Sequence, residues 1–463
     1  MLTYSMEDRG DLPLYEYLYR CIRTDILDGT LTADERLPSK RRLAEHLRLS
    51  VITVEGAYQQ LEAEGYLYTL PKRGFFVSPI QRLPAPKEAP VPAELPAEPQ
   101  QVWRLDLRSN QVDTASFPVS TWARLTRQVL SESGEALLRP VPHQGLPALR
   151  QAIADDLRDY KGMSVSPAQI IIGAGAEYLY LLLAQLMGRN AVFAVEDPGY
   201  PKIRQVYRTC GAVCYPVSLD AQGLDIAALR RSGATVAHIS PSHHYPTGLV
   251  TPIARRQELL HWAEKCDGFI IEDDYDSEFR FTGRPIPTLH SIDRHGRVIY
   301  MNTFSQTISP SMRVGFMVLP KRLLERYRQE LDFYACTVPT LEQHVLARFL
   351  NRGYYEQHLS RMRKEYRLRR ARVLEAFRVS PFADRISISE QGAGLHFLLR
   401  LETERSDDAL RQRAAEQGVR LSFLSEYAAV PNPIHTHTLV VNYAGLDSGR
   451  LTEAIALLGE IFA

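Results

Sequence analysis

Apolar residues recur at Leu14, Leu18, Ile22 and Ile26, the spacing of one helical face, and Gly29 stands where that helix would stop. A second helix is predicted for KRRLAEHLRL behind Ser39 as N-cap, burying Leu43, Ala44 and Leu47. A third follows Ser50 as VITVEGAYQQLEAEG, with Val54, Ala57, Tyr58 and Leu61 inward and Gly65 at its end. YLYTLPKRGFFVS then alternates around a Lys72-Arg73-Gly74 tip, as a short hairpin does. Three helices and a basic-tipped hairpin predict a winged helix-turn-helix over residues 1–78. The third helix of such a unit enters the major groove by its N-terminal residues, while the second helix and the wing fix the register through phosphates.

Between residues 79 and 102 the pattern breaks: Pro79, Pro84, Pro86, Pro90, Pro92, Pro96 and Pro99 predict an extended, semi-rigid linker. Beyond it, helical and strand-like stretches alternate in IIIGAGAEYLYLLLAQL, AVFAVEDPGYP, ATVAHISPSH, GFIIEDDYD and RVIYMNTFS. They predict an α/β domain over 103–463 with a mostly parallel sheet, its large part at about 145–330 and a small C-terminal part at about 340–463. IEDDYD is an apolar strand ending in acids, a position for a metal ligand, an acid or base, or a partner to a ring nitrogen. GAGAEYL offers backbone amides at a helix start to a phosphate, and SPSHHYPTG and FSQTISPSMRVG stand in order around the acidic strand.

Composition sharpens this picture. A chain of 463 residues exceeds one ordinary domain, and 45% hydrophobic with 24% charged residues excludes general disorder. No run of about 18 uncharged apolar residues occurs, and Glu7, Asp8, Arg9 and Asp11 stand where a signal peptide needs a basic start and an apolar run, so a cytoplasmic protein is expected. The five cysteines read as reduced structural thiols. Cys210 and Cys214 are spaced to share a helical face, but with no His or further Cys nearby no metal is expected. A net charge of +1 gives no global sign of nucleic acid, and residues 1–78 hold ten Lys/Arg against twelve Asp/Glu, so any DNA surface is a local patch.

LPSKRRLAEHLRLS, then TV, LEAEGYL and RGFFV make the first segment resemble the GntR family. The resemblance implies DNA contact by Arg41, with Lys40, Arg42, Thr53, Lys72 and Arg73 as further candidates. Members of that family usually carry Arg directly after the serine that opens the recognition helix, and often another four residues later; this chain has Val51 and Glu55.

The ordered set GAGAEYL, EDPGYP, SPSHHYPTG, IEDDYD and FSQTISPSMRVG resembles class I aminotransferases, and the whole chain resembles the MocR/GabR subfamily, which fuses the two modules in this order. HQGLPALR, residues 143–150, fits that family's segment just before the large domain. The resemblance implies a winged helix joined to a fold-type I, pyridoxal-phosphate-dependent transferase-like domain. It places Gly175, Ala176 and Glu177 at the phosphate-cradle turn, Tyr200 at the ring-stacking position, Asp273 against the pyridinium nitrogen and Tyr275 near the cofactor's phenolic oxygen, with Tyr245 and Gln306 among the cofactor-binding candidates. Ser305 and Arg313 take the places of phosphate ligands.

Where the family reads Ser-Lys, FSQTISP carries Gln306. An amide nitrogen is neither nucleophilic nor usefully basic, so the Schiff-base lysine is missing and no catalytic residue is assigned. LVVNYAGL places Val440 about where such enzymes hold an Arg for the substrate carboxylate. Three readings follow: a regulator that senses a small ligand, pyridoxal phosphate bound non-covalently among the candidates; a regulator whose large domain is only a dimerisation scaffold; and a working aminotransferase. Expected partners are double-stranded DNA, a small-molecule effector and a second copy in a head-to-tail dimer.

Overall fold

Ser39 and Ser50 each accept a backbone hydrogen bond at a helix start, from Arg42 N and Thr53 N, and so set where two helices of the first unit begin. The computed structural model describes residues 2–80, 103–108, 116–281, 286–389 and 392–463, and the chain divides into units 1–100 and 101–463. The proline-rich linker falls almost wholly on 81–102, outside the described residues.

In the first unit α1 (Leu14–Asp28) stops at Gly29, which takes a left-handed φ of 89°. It is followed by α2 (Lys40–Leu47), α3 (Val51–Ala63) and a hairpin of β1 (Leu67–Leu70) and β2 (Gly74–Val77), paired from Leu67↔Val77 to Leu70↔Gly74. Leu18, Ile22, Leu43, Val54, Tyr58 and Leu61 are wholly buried where the three helices meet. This is the winged helix-turn-helix that the periodicity predicts.

The second unit opens with β3 (Leu105–Asp106), α4 (Val119–Ser133) and α5 (Pro147–Lys161). Then come β4 (Ile170–Gly173), α6 (Ala176–Met187), β5 (Val192–Asp197), α7 (Pro201–Thr209), β6 (Val213–Asp220), β7 (Gly223–Leu224), α8 (Ile226–Arg231), β8 (Val236–Ile239) and α9 (Ile253–Lys265). β9 (Phe269–Asp273), α10 (Leu289–Ile292), β10 (Val298–Thr303), β11 (Gly315–Val318) and α11 (Lys321–Glu330) complete the large part. Its eight strands run in the order β4-β11-β10-β9-β8-β5-β6-β7; β11 is antiparallel to β10 and β4, β7 to β6, and the pairs between β10 and β6 are parallel. β4, β8 and β11 are buried along their whole length, and β9 and β10 over their first four residues, which is why these segments are mostly apolar. Because β5, β8, β9 and β10 are parallel, the segments after their C-terminal ends share one edge of the sheet, where α/β folds place their sites.

α12 (Thr340–Asn351) and α13 (Tyr354–Arg378) lead to β12 (Ile386–Ser389), β13 (His396–Leu401), α14 (Asp407–Glu416), β14 (Val419–Arg420), β15 (Thr438–Asn442) and α15 (Leu451–Phe462). β12, β13 and β15 form a separate antiparallel sheet, and β14 pairs with β3. Two expectations change here. The sequence division assigned 340–351 to the small part, yet α12 packs on α4 and α5, with Val345, Leu346 and Phe349 in their core. Cys210 and Cys214 do not share a helical face: α7 ends at Thr209, Gly211 takes a φ of 78°, and Cys214 is buried on β6. All five cysteines are free, and among the described residues no helix is long and apolar enough to cross a membrane.

Candidate functional site

On the first unit Arg41, Arg42, Arg48 and Lys72 are exposed, and none of them forms an ion pair among the described residues. Lys72 sits at the hairpin tip with a φ of 63°. Three of the candidate contacts are engaged within the unit. Lys40 Nζ lies 2.5 Å from Glu55 Oε1 and over the ring of Phe75, and the Thr53 hydroxyl is 2.8 Å from Ser50 Oγ. Arg73 lies over the ring of Phe76.

In the second unit the candidate cofactor residues other than Ser305 and Gln306 fall into three groups on the sheet edge that carries the strand C-termini. The first surrounds the start of α6. Gly175 has a φ of 87°, a conformation that L side chains rarely adopt, and its bare Cα lets the flexible end of Arg313 come close: a Cβ there would stand 2.6 Å from the guanidinium. Ala176 and Glu177 form the first turn, and Glu177 pairs with Arg313 at 2.5 Å and Lys202 at 3.2 Å. Partial burial alone would raise the Glu177 carboxyl, but these cations hold it down at about 2.

The second group is built on Asp273, the last residue of β9. Its Oδ2 accepts from the Tyr180 hydroxyl at 2.6 Å and lies 3.4 Å from His238 Nε2, whose Nδ1 is 2.7 Å from the Tyr207 hydroxyl. Burial raises both tyrosine hydroxyls well above their ordinary range. Beside it, burial raises the Glu196 carboxyl to about 8; Glu196 accepts from Ser240 N at 2.9 Å and lies 3.5 Å from His244 Nε2. Burial also takes His244 down to about 3, so burial works against the charged form of each group.

The third group is aromatic. Tyr245 meets Tyr200, Tyr275 and Tyr427 edge to face at centroid distances of 6.1, 5.8 and 5.3 Å, and its hydroxyl is 2.8 Å from that of Tyr427. Val440 is buried against Leu424 and Tyr427, with Tyr245 packed on the same cluster. Tyr200 lies within electrostatic reach of Lys202, Glu177 and Asp273, which brings the three groups into one neighbourhood.

Ser305 and Gln306 follow β10, both half-buried. The neighbouring Thr307 is fully engaged: its hydroxyl is bonded by Tyr355 at 3.1 Å and its carbonyl lies 2.9 Å from His358 Nε2. Gln306 Oε1 is buried with no hydrogen-bond partner. An orphaned amide oxygen, a helix start opened by a positive-φ glycine and an acid at a strand end fit a ligand carrying both a polar ring and an anionic arm.

Tyr180, His238 and Tyr427 were not singled out from the sequence. The only signal for Tyr180 is a polar tip within the apolar run LYLLLAQL. Sequence reading also passed over His243, Asp276 and His396, whose donor atoms lie within 4.8 Å of one another. Both Asp276 oxygens are used there, by His243 Nδ1 at 2.7 Å and Leu395 N at 3.2 Å, as a packed hydrogen-bond cluster would have them. A cleft of about 380 Å³ lined by Thr247, Leu398, Arg400, His435 and Thr438 contains none of the candidate cofactor residues.

The "Bacterial regulatory proteins, gntR family" profile matches residues 14–77, and "Aminotransferase class I and II" matches 104–458. The chain is 33% identical over 468 residues to the probable rhizopine catabolism regulatory protein MocR of Rhizobium meliloti, covering 98% of this chain and 94% of that one. It is 34% identical over 412 residues to the HTH-type pyridoxine biosynthesis transcriptional regulator PdxR of Corynebacterium glutamicum, covering 88% and 87%. Among solved structures the second unit is similar to an archaeal alanine:glyoxylate aminotransferase, with a TM-score of 0.69 at 22% identity over 77% of this chain and 90% of that one, a likeness of fold.

Proposed function

The chain belongs to the HTH-type transcriptional regulators that join a gntR-family domain to an aminotransferase class I and II domain, the MocR/GabR subfamily, and from that premise we propose that its second unit is a receptor that holds pyridoxal phosphate without a covalent bond and passes its occupancy to the DNA-binding unit. The observation that supports this reading is the buried Oε1 of Gln306, which has no partner; by resemblance this residue takes the place of the family's lysine. An amide there donates and accepts hydrogen bonds but does not attack an aldehyde.

When bound, the cofactor supplies an electrophilic aldehyde on an electron-withdrawing ring. The Asp273 carboxylate favours a protonated ring nitrogen. The amides at the start of α6, with Ser305 and Arg313, hold the phosphate. Tyr200, Tyr245 and Tyr275 give the ring its aromatic surroundings, and Val440 supplies no cation for a substrate carboxylate. The relative named for pyridoxine biosynthesis supports a tie between this architecture and that vitamin.

A head-to-tail dimer belongs to the same proposal. With ten basic against twelve acidic residues in 1–78, one copy neutralises few phosphates, and two copies double the contacts and impose a half-site spacing. The scaffold reading draws on one observation, the Arg313 guanidinium already paired with Glu177 at 2.5 Å.

Gln306→Lys separates the two. In a receptor pocket the variant gains a cofactor adduct that borohydride fixes, detected as a mass increase absent from the native chain. A variant that takes up no cofactor places the chain with the scaffolds.

A further inference from the structure

We infer that the first turn of α3 reads thymine by its 5-methyl group, through Val51 and Ile52. The inference rests on the DNA-binding role of the first unit and is independent of the cofactor pocket. Ile52 is 80% exposed and Val51 42% exposed, whereas Val54, Ala57, Tyr58 and Leu61 of the same helix are wholly buried. Of the exposed large hydrophobic residues described in this unit, Ile52 is the most exposed. The fold therefore does not use it for packing.

The elements that flank the pair along the chain carry exposed cations. Arg41 and Arg42 open α2, Arg48 ends it immediately before α3, and Lys72 tips the hairpin, all exposed and outside any ion pair among the described residues. An exposed apolar pair on a helix start, in a unit that also exposes unpaired cations, complements a polyanion that carries methyl groups in its groove. Hydrogen-bond readout is missing from this turn: it holds no Arg, Asn or Gln, and the Thr53 hydroxyl is engaged with Ser50 Oγ at 2.8 Å. Glu55, one turn further on, is occupied by Lys40 at 2.5 Å. For an apolar side chain the distinguishing feature of the major groove is the thymine methyl.

The test uses the full-length chain. High-affinity duplexes are selected from a random pool, and each thymine of the best site is then replaced singly by deoxyuridine, which deletes only the methyl. At one or two positions per half-site the replacement should weaken native binding roughly fourfold, the loss expected for one buried methyl. Val51→Ala and Ile52→Ala should bind thymine and uracil duplexes alike at those positions. Arg41→Ala should weaken all sequences together and keep the discrimination. Both apolar positions are exposed, so the alanine variants keep the fold. Native protein that binds the fully uracil-substituted site as tightly as the thymine site, or alanine variants that retain the discrimination, overturns the inference. If no duplex is selected at all even at low salt, the DNA-binding role itself fails, a separate result.

Discussion

The Tyr180 hydroxyl donates to Asp273 Oδ2 across 2.6 Å, and Tyr180 stands on the same helix, α6, whose first turn carries Glu177 and its bond to Arg313. One rigid element thus links the acid proposed for the ring nitrogen to the cradle proposed for the phosphate. A single helix can hold both ends of a ligand at fixed separation, which preorganises a pocket without a covalent tether.

Tyr180→Phe removes the 2.6 Å hydrogen bond to Asp273 Oδ2 and leaves His238, at 3.4 Å, as its partner. Hydrogen bonds to charged groups contribute about 1.5–3 kcal/mol, so the Kd for pyridoxal phosphate should rise roughly tenfold. Cofactor fluorescence titration of the native and variant chains reads this directly. An unchanged Kd would detach Asp273 from ligand binding.

Glu196 sets a pH dependence. Burial lifts its carboxyl from the ordinary 4.5 to about 8, with Asp273 adding to the rise. Between those values the unfolded chain has released the proton and the folded chain still binds it. Folding stability of the second unit therefore declines as pH rises from about 4.5 through 8. Glu196→Gln keeps the side-chain volume and removes the titration. Denaturant melts at pH 6 and 8.5, conditions on the order of one to two units around neutrality, should converge in the variant relative to the native chain.

Lys40 and Glu55 offer a test on the first unit. Because Lys40 neutralises Glu55 at 2.5 Å, Glu55→Ala should free one cation for a phosphate. DNA affinity at low salt should increase several-fold, and the slope of log K against log salt should steepen by about one. Weaker binding by the variant would instead make Glu55 a direct contact to a base.

How far the sequence reaches differs between the two units. Leu18, Ile22, Val54 and Leu61 were legible as core because the helices of the first unit are short, amphipathic and capped by Ser39 and Ser50. Asp273 was a candidate only through the resemblance, because an apolar strand that ends in acids also serves structure: Asp274 beside it pairs with Lys161, and Glu272 accepts from Leu289 N and His290 N. Tyr180 was not: in an apolar helix its ring reads as core, and only the fold brings its hydroxyl to a residue 93 positions away. Local pattern also does not encode the pairing of β3 with β14, Leu105 with Val419, whose strands are too short to show a period. The engagement of Lys40 by Glu55 joins two helices, so a reading of either helix alone left Lys40 free for DNA.

The central claim is that the pocket kept its anchors for an aromatic phosphate and lost the amine that would tether it. Its most direct test is titration of the native full-length chain with pyridoxal phosphate, followed by borohydride and intact mass measurement. The account predicts saturable binding that dialysis reverses and a mass unchanged after reduction. A mass increase equal to one reduced pyridoxyl phosphate, on any lysine at one-to-one stoichiometry, contradicts it.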